Sequence, residues 1–115
     1  GLQDAVITHL DHSVALLTNR SERVGTPLSL HLIGTQSNRD AIGARIRVQQ
    51  KETVQHFFLT GGDGYLSCNE RRVYVGLPQK GKVEISINWP SGITQTSTHS
   101  AEVGELTIVE KTSRQ

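Results

Sequence analysis

Arg39, Arg45 and Arg47, with Arg71 and Arg72 further along the chain, are the side chains with the most obvious binding chemistry. Each guanidinium is a rigid fork of donors that matches carboxylate or sulfate groups. Asp40, Glu52 and Glu70 lie close enough in sequence to neutralise them, and a solvated strand face with paired charges is the commoner use of such a pattern. Cys68 and His56 are a nucleophile and a base by type. Activation requires the two within hydrogen-bond reach and a third group to orient the base, and the spacing supplies neither. The expectation is a packed thiol and no enzymatic activity. His9, His12, His31, His56 and His99 lack a tight metal-ligand spacing. The closest pair, His9 and His12, falls on what reads as a hairpin rather than a helix, so neither a metal nor any other cofactor is expected.

Ser37 to Val48 reads SNRDAIGARIRV, and two uses compete for it. In the local one, Asn38 and Asp40 hydrogen-bond nearby backbone to hold a turn, Gly43 admits a bulge or a close backbone contact, and Ala44, Ile46 and Val48 face a core. That use accounts for almost every residue and is preferred. In the other, Arg39, Arg45 and Arg47, joined by Arg71 and Arg72, form an anion-binding surface. Tyr65, Tyr74 and Trp89 are the aromatics from which a sugar-stacking platform would be built, although Trp89 alternates onto the apolar side of its strand, where packing is the simpler role. Gly61-Gly62-Asp63-Gly64 has neither the lysine of a phosphate loop nor the repeated oxygen ligands of a calcium loop. Its glycines, Gly62 and Gly64 included, are expected to take positive φ in a hairpin turn. Asn19-Arg20-Ser21 matches the N-glycosylation pattern, a short motif that says little alone.

These residues need elements to hold them, and the periodicity is that of strands. Leu28, Leu30 and Leu32 alternate with Ser29, His31 and Ile33, and Val73, Val75 and Leu77 follow the same rule. Between Lys82 and Trp89, Val83, Ile85, Ile87 and Trp89 share one face while Lys82, Glu84, Ser86 and Asn88 share the other. Leu106 and Ile108 supply a last strand. Pro78 to Gly81 and Pro90-Ser91-Gly92 are turn signals. Residues 95–104, poor in apolar side chains, read as an irregular connection. The fold class is all-β: a small antiparallel sandwich or barrel-like domain preceded by an N-terminal β-hairpin from Ala5–Thr8 and Ser13–Leu17.

A chain of 115 residues is about one domain with one modest core. Twelve lysines and arginines against eleven aspartates and glutamates leave a formal charge of +1, which gives no reason to expect nucleic acid as a partner. No apolar run approaches the ~20 residues that span a bilayer as a helix. A single cysteine provides no disulfide framework and leaves the redox compartment open. Gly1 stands where an initiator methionine would, and no signal-peptide pattern follows, so the expectation is a segment of a longer protein.

SNRDAIGARIRV, then GDGYLSCNERRVYVGLP (Gly62–Pro78), VEISINWPSGITQ (Val83–Gln95) and LTIVE (Leu106–Glu110) together resemble the ASPIC/UnbV domain across roughly Pro27 to Glu110. Val6 to Ser21 is similar, over a shorter match, to the last strands of an FG-GAP/VCBS propeller blade. The resemblance implies residues 1–25 as the end of such a blade, 26–110 as the ASPIC/UnbV-like domain and 111–115 as a polar tail. It implies a secreted, periplasmic or cell-surface parent with an upstream propeller, and an accessory binding or structural role without an assigned reaction. The alternatives are a carbohydrate- or anionic-glycan-binding module, or an enzyme-associated module of a biosynthetic protein. Asp4 and Asp11 are the only carboxylates before Glu22, so the calcium loop of the repeats is not carried over. The hairpin is expected to fold back onto the β domain, with a weak homodimer through its edges as the lesser outcome.

Overall fold

A computed structural model of the chain describes residues 2–22, 25–102 and 104–112. They contain strands and no helix: β1 (Ala5–Ile7), β2 (Ala15–Leu17), β3 (Thr26–Ile33), β4 (Arg45–Gln50), β5 (Thr53–Phe58), β6 (Val73–Leu77), β7 (Lys82–Asn88), β8 (Thr94–Ser100) and β9 (Glu105–Val109). Among the described residues, no helix is long and apolar enough to cross a membrane. β5-β4-β7-β8 form an antiparallel sheet, β6-β3-β9 a second sheet, and β1-β2 a separate ribbon. The all-β expectation holds with one refinement. β3 pairs antiparallel with β6 but parallel with β9, from Ser29 opposite Glu105 to Ile33 opposite Val109.

Alternation decides which side chains meet between the two larger sheets. Leu28, Leu30 and Leu32 from β3, Ile46 and Val48 from β4, Val73, Val75 and Leu77 from β6, and Val83, Ile85 and Ile87 from β7 form one buried cluster with Trp89 and Ile108. Burying an isoleucine or leucine of this kind contributes roughly 1.5–3 kcal/mol. Glutamines tie the margins together where the apolar pattern stops. Gln55 Nε2 donates to the Gly76 carbonyl at 2.7 Å, linking β5 to β6. Gln50 both donates to the Gln79 carbonyl and accepts from the Gln79 N–H at the turn after β6. On the opposite margin Gln95 accepts from the Trp89 indole at 3.1 Å and donates to the Val109 carbonyl at 3.2 Å.

Three expectations need correction. Residues 94–100 are not irregular but form edge strand β8, paired with β7 along its whole length. Its inward positions are Gln95, Ser97 and His99, so the hydrophobic alternation that marks the other strands is missing. Gly62 and Gly64 do not provide positive φ; Gly25, Gly43, Gly81 and Gly92 do. The tight turn lies one step later, where Gly64 bridges Ser67 and Leu66 takes a φ of 51°. The hairpin, finally, does not fold onto the β domain. Val6, Ile7, Leu10, Val14, Leu16 and Leu17 are all exposed. The radius of gyration of 16.5 Å exceeds the about 13 Å of a compact chain this long. A three-residue pair of strands buries too little apolar surface to hold a docked position by itself. Val24, part of the expected boundary, and residues 113–115 of the polar tail lie outside the described residues.

Candidate binding face and the Glu110 lock

Within SNRDAIGARIRV the local use of the motif accounts for the geometry. Asn38 Oδ1 accepts from the Ile42 N–H and Asn38 Nδ2 donates to the Ile42 carbonyl, both at 2.9 Å. Gly43, at φ 99°, donates to the Leu59 carbonyl, while Leu59 N–H donates to the carbonyl of Ala44. Two residues thus face one on the neighbouring segment, a glycine-led bulge that starts β4 with Ile46 and Val48 inward. Asp40 departs from the expectation: its carboxylate is exposed and bonds no backbone group among the described residues.

Ser37, at the start of the same motif, opens the feature that spacing did not reveal. The carboxylate of Glu110, only 2% exposed, accepts from the consecutive N–H groups of Thr35, Gln36 and Ser37 at 2.8, 2.9 and 2.8 Å through Oε2. Its Oε1 accepts from the hydroxyls of Ser37 and Ser91. Ser37 Oγ in turn accepts from the Ser91 N–H at 3.0 Å, in the turn that Trp89-Pro90-Ser91-Gly92 makes with Gly92 at φ 96°. Burial alone pushes the carboxyl upward, but the hydroxyl of Ser91 and the donors at Ser37 and Thr35 outweigh it and hold the group at about 2. Three successive amides cradling an anion form a nest, and here the anion belongs to the chain itself. SNRD, WPSG and LTIVE therefore converge on one carboxylate. The sequence signal was a lone acid ending an apolar strand, which pattern reading treats as a boundary.

The candidate arginines divide. Arg45 and Arg47 project from the outer face of β4, with Phe58 and Asn88 flanking Arg45 and His56 and Ser86 flanking Arg47. Together they line an open recess of about 580 Å³. The rows continue into β8, where Thr94 Oγ1 donates to Asn88 Oδ1 at 2.9 Å and Thr96 Oγ1 to Ser86 Oγ at 3.2 Å. The Arg45 guanidinium lies 6.0 Å from the centroid of the Phe58 ring. Arg45 has no ion pair or hydrogen bond among the described residues, whereas Arg47 donates to Gln49 at 2.8 Å and reaches Glu84 only at 3.9 Å.

Arg71 and Arg72 do not join them. Arg71 donates to the Thr60 and Gly61 carbonyls at 3.2 and 3.1 Å and closes the loop between β5 and β6. Within that loop Asp63 accepts from Thr60 and Asn69, and the Thr60 hydroxyl chiefly holds its carboxyl below the usual range. Arg72 is paired with Glu70 at 2.9 Å and reaches Glu105 at 3.7 Å. The Tyr74 phenol donates to the same Glu70 at 2.6 Å, and that hydrogen bond raises its proton affinity. Arg39 is exposed on the loop before β4, and Tyr65 is 92% exposed at the loop tip, both outside the recess. Trp89 is buried, so no platform unites it with Tyr65 and Tyr74. Phe58, 58% exposed beside Arg45, is the aromatic that sequence reading passed over. Cys68, expected as a packed thiol, is instead exposed, because it lies in the loop between β5 and β6 rather than at an inward strand position, and among the described residues it has no hydrogen bond to His56.

The described residues thus form a two-sheet β domain closed by an internal nest, with a basic and aromatic patch on one outer face. Residues 34–115 match ASPIC and UnbV, and the chain belongs to that family. The match begins at Gly34, one residue beyond β3, although β3 is the central strand of its sheet. No curated protein and no solved structure matches the chain.

Proposed function

We propose that this is a non-catalytic accessory domain of a larger secreted or cell-surface repeat protein, with the outer face of β5-β4-β7 as its binding surface. The observation that carries the reading is the disposition of Arg45: a permanently charged fork that has no carboxylate partner among the described residues, beside an exposed aromatic ring and lining a recess. Arg71 and Arg72 are absorbed by loop carbonyls and ion pairs, and Arg39 is exposed on a loop outside the recess, so this face is where arginines stand together beside an exposed aromatic ring. The exposed hairpin supports the larger parent, since its apolar side chains suit further strands of a propeller packed against them.

The test is an amide chemical-shift titration of the intact chain against a panel of saccharides and short acidic and neutral peptides. Perturbations should centre on Arg45, Arg47, His56, Phe58, Ser86 and Asn88. Shifts confined to the loop tip at Tyr65 or to the β6-β3-β9 face would refute the assignment. Cys68→Ala in the parent protein should leave any associated activity unchanged; its loss would favour the enzyme-associated alternative.

A further inference from the structure

We infer that the β5-β4-β7 face takes an acidic saccharide: a sugar ring laid against Phe58 with its carboxylate or sulfate held by Arg45. The inference rests on reading this face as the binding surface and adds the ligand class. Arg45 and Arg47 are two residues apart on one strand, so their stems emerge about 7 Å apart on the same side. That separation lets one anionic substituent meet Arg45 while Arg47 reaches a neighbouring oxygen. Arg45 lies over Phe58, which places the guanidinium beside an exposed apolar plane. A sugar with one carbon-rich face and one charged substituent has the complementary shape.

The remaining groups fit the same chemistry. Asn88, Ser86, Thr94 and Thr96 give a band of hydroxyls and an amide, each able to donate or accept, along the two cross-strand rows. Glu84, in the next row, lies 3.9 Å from Arg47 and places a negative charge at the margin of the patch. A densely charged phosphate backbone laid along the face would meet that carboxylate, whereas a sugar with isolated anionic groups avoids it. A peptide adding to a sheet engages backbone at an edge strand; this surface presents side chains from the face of one.

The experiment is calorimetric titration of the intact chain with three probes: an oligogalacturonate, a short carrageenan oligosaccharide that carries isolated sulfates and no carboxylate, and a neutral galacto-oligosaccharide. At least one acidic probe should bind, and the two separate carboxylate from sulfate recognition. Its affinity should fall several-fold as sodium chloride rises from about 50 to about 500 mM. Arg45→Gln should weaken binding by about tenfold or more, the scale of a lost hydrogen bond to a charged group. Phe58→Ala should weaken it several-fold, and Arg39→Gln, outside the recess, should leave it unchanged. Equal binding of the neutral probe, binding unaffected by Arg45→Gln, or no binding of any probe at millimolar concentration would overturn the inference. Neutral-sugar binding that still perturbs Arg45 and Phe58 amides would do so while leaving the face assignment intact. An acidic probe whose shifts map to Arg72 and Tyr74 would remove both.

Discussion

Replacing Glu110 removes the acceptor on which three parts of the chain depend. In Glu110→Ala the N–H groups of Thr35, Gln36 and Ser37 and the hydroxyls of Ser37 and Ser91 lose their common partner. With about 1–3 kcal/mol for each buried group left unsatisfied, and some regaining water, a total near 3–5 kcal/mol is expected. That is a large fraction of the about 5–15 kcal/mol that holds a small domain together. Glu110→Gln keeps the shape and removes the charge. The carboxyl is held at about 2 against an ordinary 4.5, and its charged form contributes about 3 kcal/mol through that difference. Because the folded state binds its proton more weakly than the unfolded state, this contribution is complete above about pH 4.5 and lost as pH falls toward 2. Urea denaturation of the wild type and Glu110→Gln at pH 7, 4.5 and about 2.5 checks both magnitude and sign. The variants should differ by about 2–3 kcal/mol at pH 7 and converge at low pH. A difference below about 0.5 kcal/mol at neutral pH, or parallel pH profiles from 4.5 downward, would refute the lock.

Ile87→Ala, at a position with no exposure, should cost about 2–5 kcal/mol by lost transfer energy and a cavity, read as a lower urea midpoint at unchanged slope. Asn38→Ala should cost roughly 1 kcal/mol through its two bonds to Ile42, while Arg45→Ala should be nearly neutral for folding; the reverse order would contradict their assigned roles. Among the described residues Ser29 Oγ is buried without a hydrogen-bond partner, so Ser29→Ala should be neutral or stabilising by up to about 1 kcal/mol in the same assay, and a clear loss would mean that the hydroxyl has a partner. Backbone amides of β1 and β2 should exchange with solvent far faster than those of β4 and β7; comparable protection would show that the hairpin is covered in solution.

Strands whose inward side chains are apolar were legible from the sequence because burial there repeats every second residue and needs no knowledge of the partner. β4, β6, β7 and the bulge at Gly43 follow from local rules of this kind. β8 escaped because its inward Gln95 is satisfied by Trp89 and Val109 rather than by apolar contact; threonine at every second position was the one local hint. Neither could sequence separation sort the arginines. Arg45 and Arg47 face outward beside His56 and Phe58 because of strand register, while Arg71 and Arg72 are taken by carbonyls and carboxylates that folding brings to them. The Glu110 nest is the extreme case, since its donors at Thr35 and Ser37 lie 75 and 73 residues away. The parallel pairing of β9 with β3 carries the end of the chain to that loop. A carboxylate and its donors can be recognised one by one in a sequence, but only the closure of the sandwich makes them partners, because a hydrogen bond depends on position in space and not on order along the chain.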